Sequence, residues 1–142
     1  MTQLRIGNEP PAEFLVATSK LIFIPAGVAL VLHRWTDVLV ISTQGICAIW
    51  FHSSHTPFSY YADQTSTLIL ATHTFRLAIT NPITPFLFAL GFGYMLLVYT
   101  YGKRNNCFCF DPDTEIADKY HASIHILGIV IYSVSMMFFL PR

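Results

Sequence analysis

The chain has 142 residues, 54% of them hydrophobic and 11% charged, with a formal net charge of zero. Soluble domains carry about 25% charged residues. This composition and a mean hydropathy of +0.52 therefore exclude a disordered chain, a nucleic-acid binder with a basic face and most soluble enzymes. Three cysteines, an odd number without disulfide spacing, exclude a secreted disulfide scaffold. What remains is an integral, multi-pass membrane protein forming one all-α domain over residues 1–142.

A bilayer core takes about 20 mainly apolar residues per helix. On that measure a bundle of five spans is predicted, at about 14–32, 35–52, 63–79, 83–101 and 122–140. The first contains Lys20 and Pro25. The second is apolar from Val38 onward apart from Ser42, Thr43 and Gln44. The third is the weakest, because His73 and Arg76 lie in it. The fourth starts near Pro82 and Pro85, where a first helical turn tolerates proline. The fifth is interrupted by His125. His33 to Asp37 reads as a short polar hairpin, Pro57 and Asn81-Pro82 as breakers, and Gly102 to Tyr120 as the longest polar stretch. No cleavable apolar leader is evident. Arg5, Lys103, Arg104 and Lys119 fall on the side of the N-terminus, and Arg34, Arg76 and Arg142 on the other. That balance assigns no orientation.

Ionisable residues inside membrane spans are costly and point to function. Threading five spans back and forth brings His52, Asp63, His121 and His125 to one membrane face. His121 and His125 are four apart and share a helix face, so both can hold one metal ion. His52 would complete a three-histidine set with one position open, the pattern of catalytic zinc. Zinc lowers the pKa of a bound water to about 7, and Asp63 would act on that water as general base. A plainer reading stays open, in which the histidines sit at headgroup level and Asp63 caps a helix.

The stretch Ala48-Ile49-Trp50-Phe51-His52, then Asp63 eleven positions after that histidine, then His121-Ala122-Ser123-Ile124-His125-Ile126-Leu127-Gly128, resembles the CREST superfamily. That group includes alkaline ceramidases, adiponectin and progestin receptors and hemolysin III-like proteins. Ala12-Glu13-Phe14 with Ser19-Lys20-Leu21-Ile22 also looks like the first helix of alkaline ceramidases. The resemblance covers residues 12–70 and 118–135. It implies a seven-helix type of bundle, here shortened, with zinc held by His52, His121 and His125 and with Asp63 acting on the zinc-bound water. The implied reaction is hydrolysis of an amide in a membrane lipid such as ceramide. The alternative is a non-catalytic, receptor-like or scaffolding relative that keeps zinc for stability. Two departures stand out: Ala48 occupies the place of a family serine, and five spans replace seven. Of the family's acidic N-terminal calcium cluster, only Glu13 lines up.

Ser53, Ser66 and Ser123 are candidates to replace the missing hydroxyl. Tyr60 and Tyr61 suit an interfacial belt or, more sharply, an oxyanion donor. Lys20 is expected to face the cavity and meet Glu13 or Asp63. His55, one turn after His52, is an alternative ligand. His73 and Arg76 read as a polar contact at the far end of the third span. Cys107 and Cys109 are a weak metal signal and equally suit palmitoylation. Gly91 and Gly93 suggest close helix packing. A homo-oligomer is a further expectation, since dimerisation would replace missing helices; no nucleic-acid partner is expected.

Overall fold

The computed structural model describes residues 12–79 and 82–139. Arg5, Asn81, Leu140 and Arg142 lie outside them. Within them the chain forms helices and no strand.

The first predicted span is two helices, α1 (Glu13–Lys20) and α2 (Phe23–Val31). Pro25 has no N–H to offer the Leu21 carbonyl, and its ring crowds that carbonyl. The backbone tightens there, with Leu21, Ile22 and Ile24 donating to Thr18, Ser19 and Leu21 at 2.9–3.1 Å. Helix α3 (Trp35–Ser54) stops where His55 turns left-handed at φ 48° and returns its N–H to Phe51 at 2.8 Å.

Helix α4 (Pro57–Ala78) starts six residues before the predicted third span. Thr56 and Ser59 form a reciprocal capping box, with Pro57 pre-set for the first turn. Asp63 therefore does not cap this helix: it lies in its second turn, buried. Helix α5 (Thr84–Leu96) continues through a π turn (Leu97–Tyr101) into the short α6 (Gly102–Asn105). Helix α7 (Thr114–Phe138) begins within the predicted polar loop, because Asp113 accepts the Glu115 and Ile116 N–H groups at 2.9 and 3.4 Å.

Three stretches are long and apolar enough to cross a membrane: Glu13–Val31, Thr84–Phe110 and Thr114–Phe138. Helices α3 and α4 have the length but carry too many polar residues to meet the same measure. Those residues face each other along one seam. Gln44 donates to Asp63 at 3.1 Å and accepts from Ser66 at 2.7 Å. Farther from the connecting turn, His73 Nε2 lies 2.6 Å from Asp37. Asp37, 3% exposed, also accepts from Arg34 at 2.5 Å and from the Tyr132 hydroxyl of α7 at 3.1 Å. The apolar core beside this seam joins Ala26 and Ala29 of α2, Ile41 and Ala48 of α3, Phe88 of α5, and Tyr132 and Met136 of α7. Ala12, Leu15 and Ala122 join α1 to α7.

Between α6 and α7 the chain folds back over the bundle end. Cys107 donates to the Gly102 carbonyl at 3.1 Å. A Cβ on Gly102 would sit 2.6 Å from the Cys107 carbonyl oxygen, so only glycine fits there. Phe108 then packs on Tyr120, and Phe110 on Tyr99.

Asp37→Ala strips three groups of a shared buried acceptor. Loss of one partner from a buried ionic cluster costs about 3–5 kcal/mol. Thermal unfolding of the detergent-purified variant is expected to show a large fall in Tm, whereas Arg76→Ala, at an exposed position, should leave Tm nearly unchanged.

Candidate metal centre

Two helices supply the centre: His52 near the end of α3, and His121 and His125 from successive turns of α7. One ring nitrogen from each lies within 4.8 Å of the other two. The ring centroids are 5.0 Å apart for His52–His121 and for His121–His125, and 5.6 Å for His52–His125. A tetrahedral zinc with bonds of about 2.0 Å places its nitrogen ligands about 3.3 Å apart. Modest ring rotations close the difference.

The donor set has the right chemistry as well. The Thr18 hydroxyl gives its hydrogen to the Leu15 carbonyl at 3.1 Å. Its oxygen is thus left to accept from His125 Nδ1, 3.3 Å away. Placing the imidazole hydrogen on Nδ1 leaves the Nε2 lone pair for a metal, the usual arrangement behind a ligating histidine. His52 is 2% exposed and anchored through its carbonyl, which accepts from Ala12 N–H at 3.1 Å. The residues fit a single first-row metal ion; which metal is left open by imidazoles alone.

Asp63 and two of the three histidines, His121 and His125, line one cavity of about 420 Å³. Gln44 fixes the Asp63 carboxylate. Its Oε1 faces the Ser66 and Thr67 hydroxyls at 2.7 and 3.3 Å, so its amide hydrogens point to Asp63. Tyr99 also lines this cavity, with its hydroxyl 3.4 Å from His121 Nε2.

The other candidates fall elsewhere. Ser66 is spent on Gln44 and the Asp63 carbonyl and does not line the cavity. Ser123 gives its hydrogen to the Tyr120 carbonyl and accepts from Tyr94, both at 2.6 Å; Tyr94 is the member of that pair on the cavity wall. Ser53 is exposed. Tyr61 is 67% exposed and packs edge-on against Tyr60, which also meets Phe51. Lys20 is exposed and outside the cavity wall, contrary to the expectation of an inward role, because α1 ends there and turns its other face to the bundle. His55 is buried against Phe51 and stands apart from the trio. Cys107 and Cys109 are free thiols in the loop before α7.

Thr18, Gln44 and Tyr99 belong to the site although the sequence assigns none of them a role there. Gln44 was legible in principle: it lies two turns before His52 on the same helix face, a polar residue in an apolar run. Thr18 and Tyr99 carried no such signal. Compared with family models, curated proteins and solved structures, the chain matches none.

Elemental analysis of the purified protein is expected to give about one metal ion per chain, and none for His121→Ala/His125→Ala. Thr18→Val should weaken metal affinity about 10- to 100-fold, as loss of an outer partner does, read by chelator competition.

Proposed function

We propose that this chain is a zinc-dependent, five-span membrane hydrolase that cleaves a lipid amide of the ceramide type, a shortened relative of the CREST superfamily. The observation that carries it is a cluster of three histidines, two of which share with a buried carboxylate one cavity with largely apolar walls.

Five spans are supported by the way α3 and α4 spend their polar groups on each other, leaving Leu39, Ile46, Trp50, Phe58, Leu68 and Phe75 on the outside. Their 20 and 22 residues give about 30 Å each at 1.5 Å per residue, the thickness of a bilayer core.

Zinc held by His52, His121 and His125 would lower the pKa of a water to about 7 and polarise the amide carbonyl. Asp63, held by Gln44, takes the proton of the attacking water and returns it to the leaving amine. The Tyr99 hydroxyl donates to the carbonyl oxygen as negative charge develops there. That assignment places on Tyr99 the duty that the family resemblance gives to a serine, absent here because Ala48 occupies its place. The acyl chain lies along the apolar wall, and the products are a fatty acid and an amine.

The test is hydrolysis of lipid amides by the zinc-loaded protein, with products identified by mass spectrometry. Asp63→Asn should lower kcat about 10²- to 10⁴-fold and Tyr99→Phe about 10²- to 10³-fold, both with zinc content retained. A protein that loses Tm on chelation yet releases no product from any lipid amide would sink the hydrolase and leave zinc in a structural role.

A further inference from the structure

The cavity is not closed on all sides. Gln64 of α4, Leu96 of α5 and Gly128 of α7 line it and are exposed. Helix α5 is held to α7 along its length. The Phe88 and Tyr132 rings lie 6.0 Å apart, Tyr94 bonds to Ser123 at 2.6 Å, and the Tyr99 hydroxyl lies 3.4 Å from His121. Helix α4 is held to α3 through Ser66 with Gln44 and His73 with Asp37. To each other α4 and α5 are tied where α5 begins, the Thr84 hydroxyl donating to the Ala78 carbonyl at 2.9 Å.

Beyond that tie the facing edges are exposed. Helical spacing puts Gln64, Leu68 and Phe75 on the edge of α4 turned away from Ser66 and His73. It puts Ala89, Gly93 and Leu96 on the edge of α5 turned away from Gly91 and Tyr94, which lie on the α7 side. All six edge residues are exposed. A Cβ on Gly91 would sit 3.0 Å from Ile131 of α7, whereas one on Gly93 would meet nothing within 4 Å. Because Gln64 and Leu96 also line the cavity, the seam opens into it.

The rim changes character along its length. At the histidine end stands Gln64, next to Asp63. Farther along α4 and across on α5 the rim is apolar, with Leu68, Phe75 and Leu96 each more than half exposed. Behind it Leu70, Phe92 and Ile131 line the cavity. Apolar surface of this kind is unfavourable in water and at home in a bilayer core. Resting on the lipid-amide reading of the same cavity, we infer that the α4–α5 seam is a lateral portal, through which the acyl chain of a bilayer lipid passes from the membrane into the cavity while its polar amide stays at the Gln64 end. A ceramide-type lipid then inserts one chain and leaves the other in the bilayer.

Gly93 offers a clean plug. It lies on the seam and outside the cavity wall, and Gly93→Trp would fill the opening without touching the ligating histidines.

The full-length, zinc-loaded protein is placed in phosphatidylcholine vesicles holding a ceramide with a diazirine at the end of its acyl chain. After illumination, adducts of the intact or cleaved lipid are mapped by peptide mass spectrometry. They should fall on the cavity-lining Leu70, Phe92 and Met95 as well as on the outer surface. Gly93→Trp should cut the cavity adducts about tenfold, as a side chain forced into needed space does, with zinc content and adducts on the exposed Phe86 unchanged. If Gly93→Trp does not fold, the wild-type map decides. Adducts confined to outward-facing residues, or cavity adducts indifferent to Gly93→Trp, overturn the inference. So does a dimer in which a second copy shields Leu68 and Leu96. Cavity adducts without amide cleavage support the portal and overturn the hydrolase; cleavage with no cavity adduct does the reverse.

Discussion

The seam between α3 and α4 is the constraint on which the rest depends. Polar side chains in a bundle with apolar outer faces have no solvent to turn to, so they must pair within it. Asp37 gathers Arg34, His73 and Tyr132 at one end, and Gln44 gathers Asp63, Ser66 and Thr67 nearer the other. These bonds set the register of α3 against α4 and, through Tyr132, tie α7 to both. Among the described residues four buried polar atoms stay unpaired, Ser19 Oγ, His55 Nδ1, Ser133 Oγ and Ser135 Oγ; none belongs to the seam.

The same register delivers the site. Once Gln44 meets Asp63, His52 is carried two turns farther along α3 to the end of the bundle where α7 brings His121 and His125. The α1 helix closes the group from behind, with Ala12 on the His52 carbonyl and Thr18 on the His125 ring. From the opposite side the π turn of α5 presents Tyr99, steadied by Phe110 of the folded-back loop. Widened turns of this kind recur at functional sites because they re-aim a side chain without ending the helix. The loop exists only because Gly102 leaves room for the Cys107 carbonyl.

One structural element thus serves both ends of the cavity. The groups that hold Asp63 in place are on the hairpin whose other cluster braces Tyr132 on the cavity wall. A braced Tyr132 and a held Asp63 carboxylate are thus two outcomes of the buried hydrogen bonds on one hairpin.

The helical class, the apolar runs and the three-histidine set with Asp63 were legible in the linear sequence, because hydrophobic length and four-residue spacing are local properties of a helix. Element boundaries were less so. Thr56 and Asp113 set the starts of α4 and α7 through caps, and these lie outside the apolar runs that mark a span. The break at Leu21–Ile22 follows from Pro25, although by length and hydrophobicity alone residues 14–32 make one span. What only the tertiary structure decided is which polar residues face which. Ser66 and Ser123 look alike as candidate hydroxyls, but one is spent on Gln44 and the other on the Tyr120 carbonyl. Gln44, Thr18 and Tyr99 become site residues only when α1, α3, α4, the π turn of α5 and α7 meet. A hydrogen bond between residues 19 or 107 positions apart depends on packing geometry, and no local pattern encodes it.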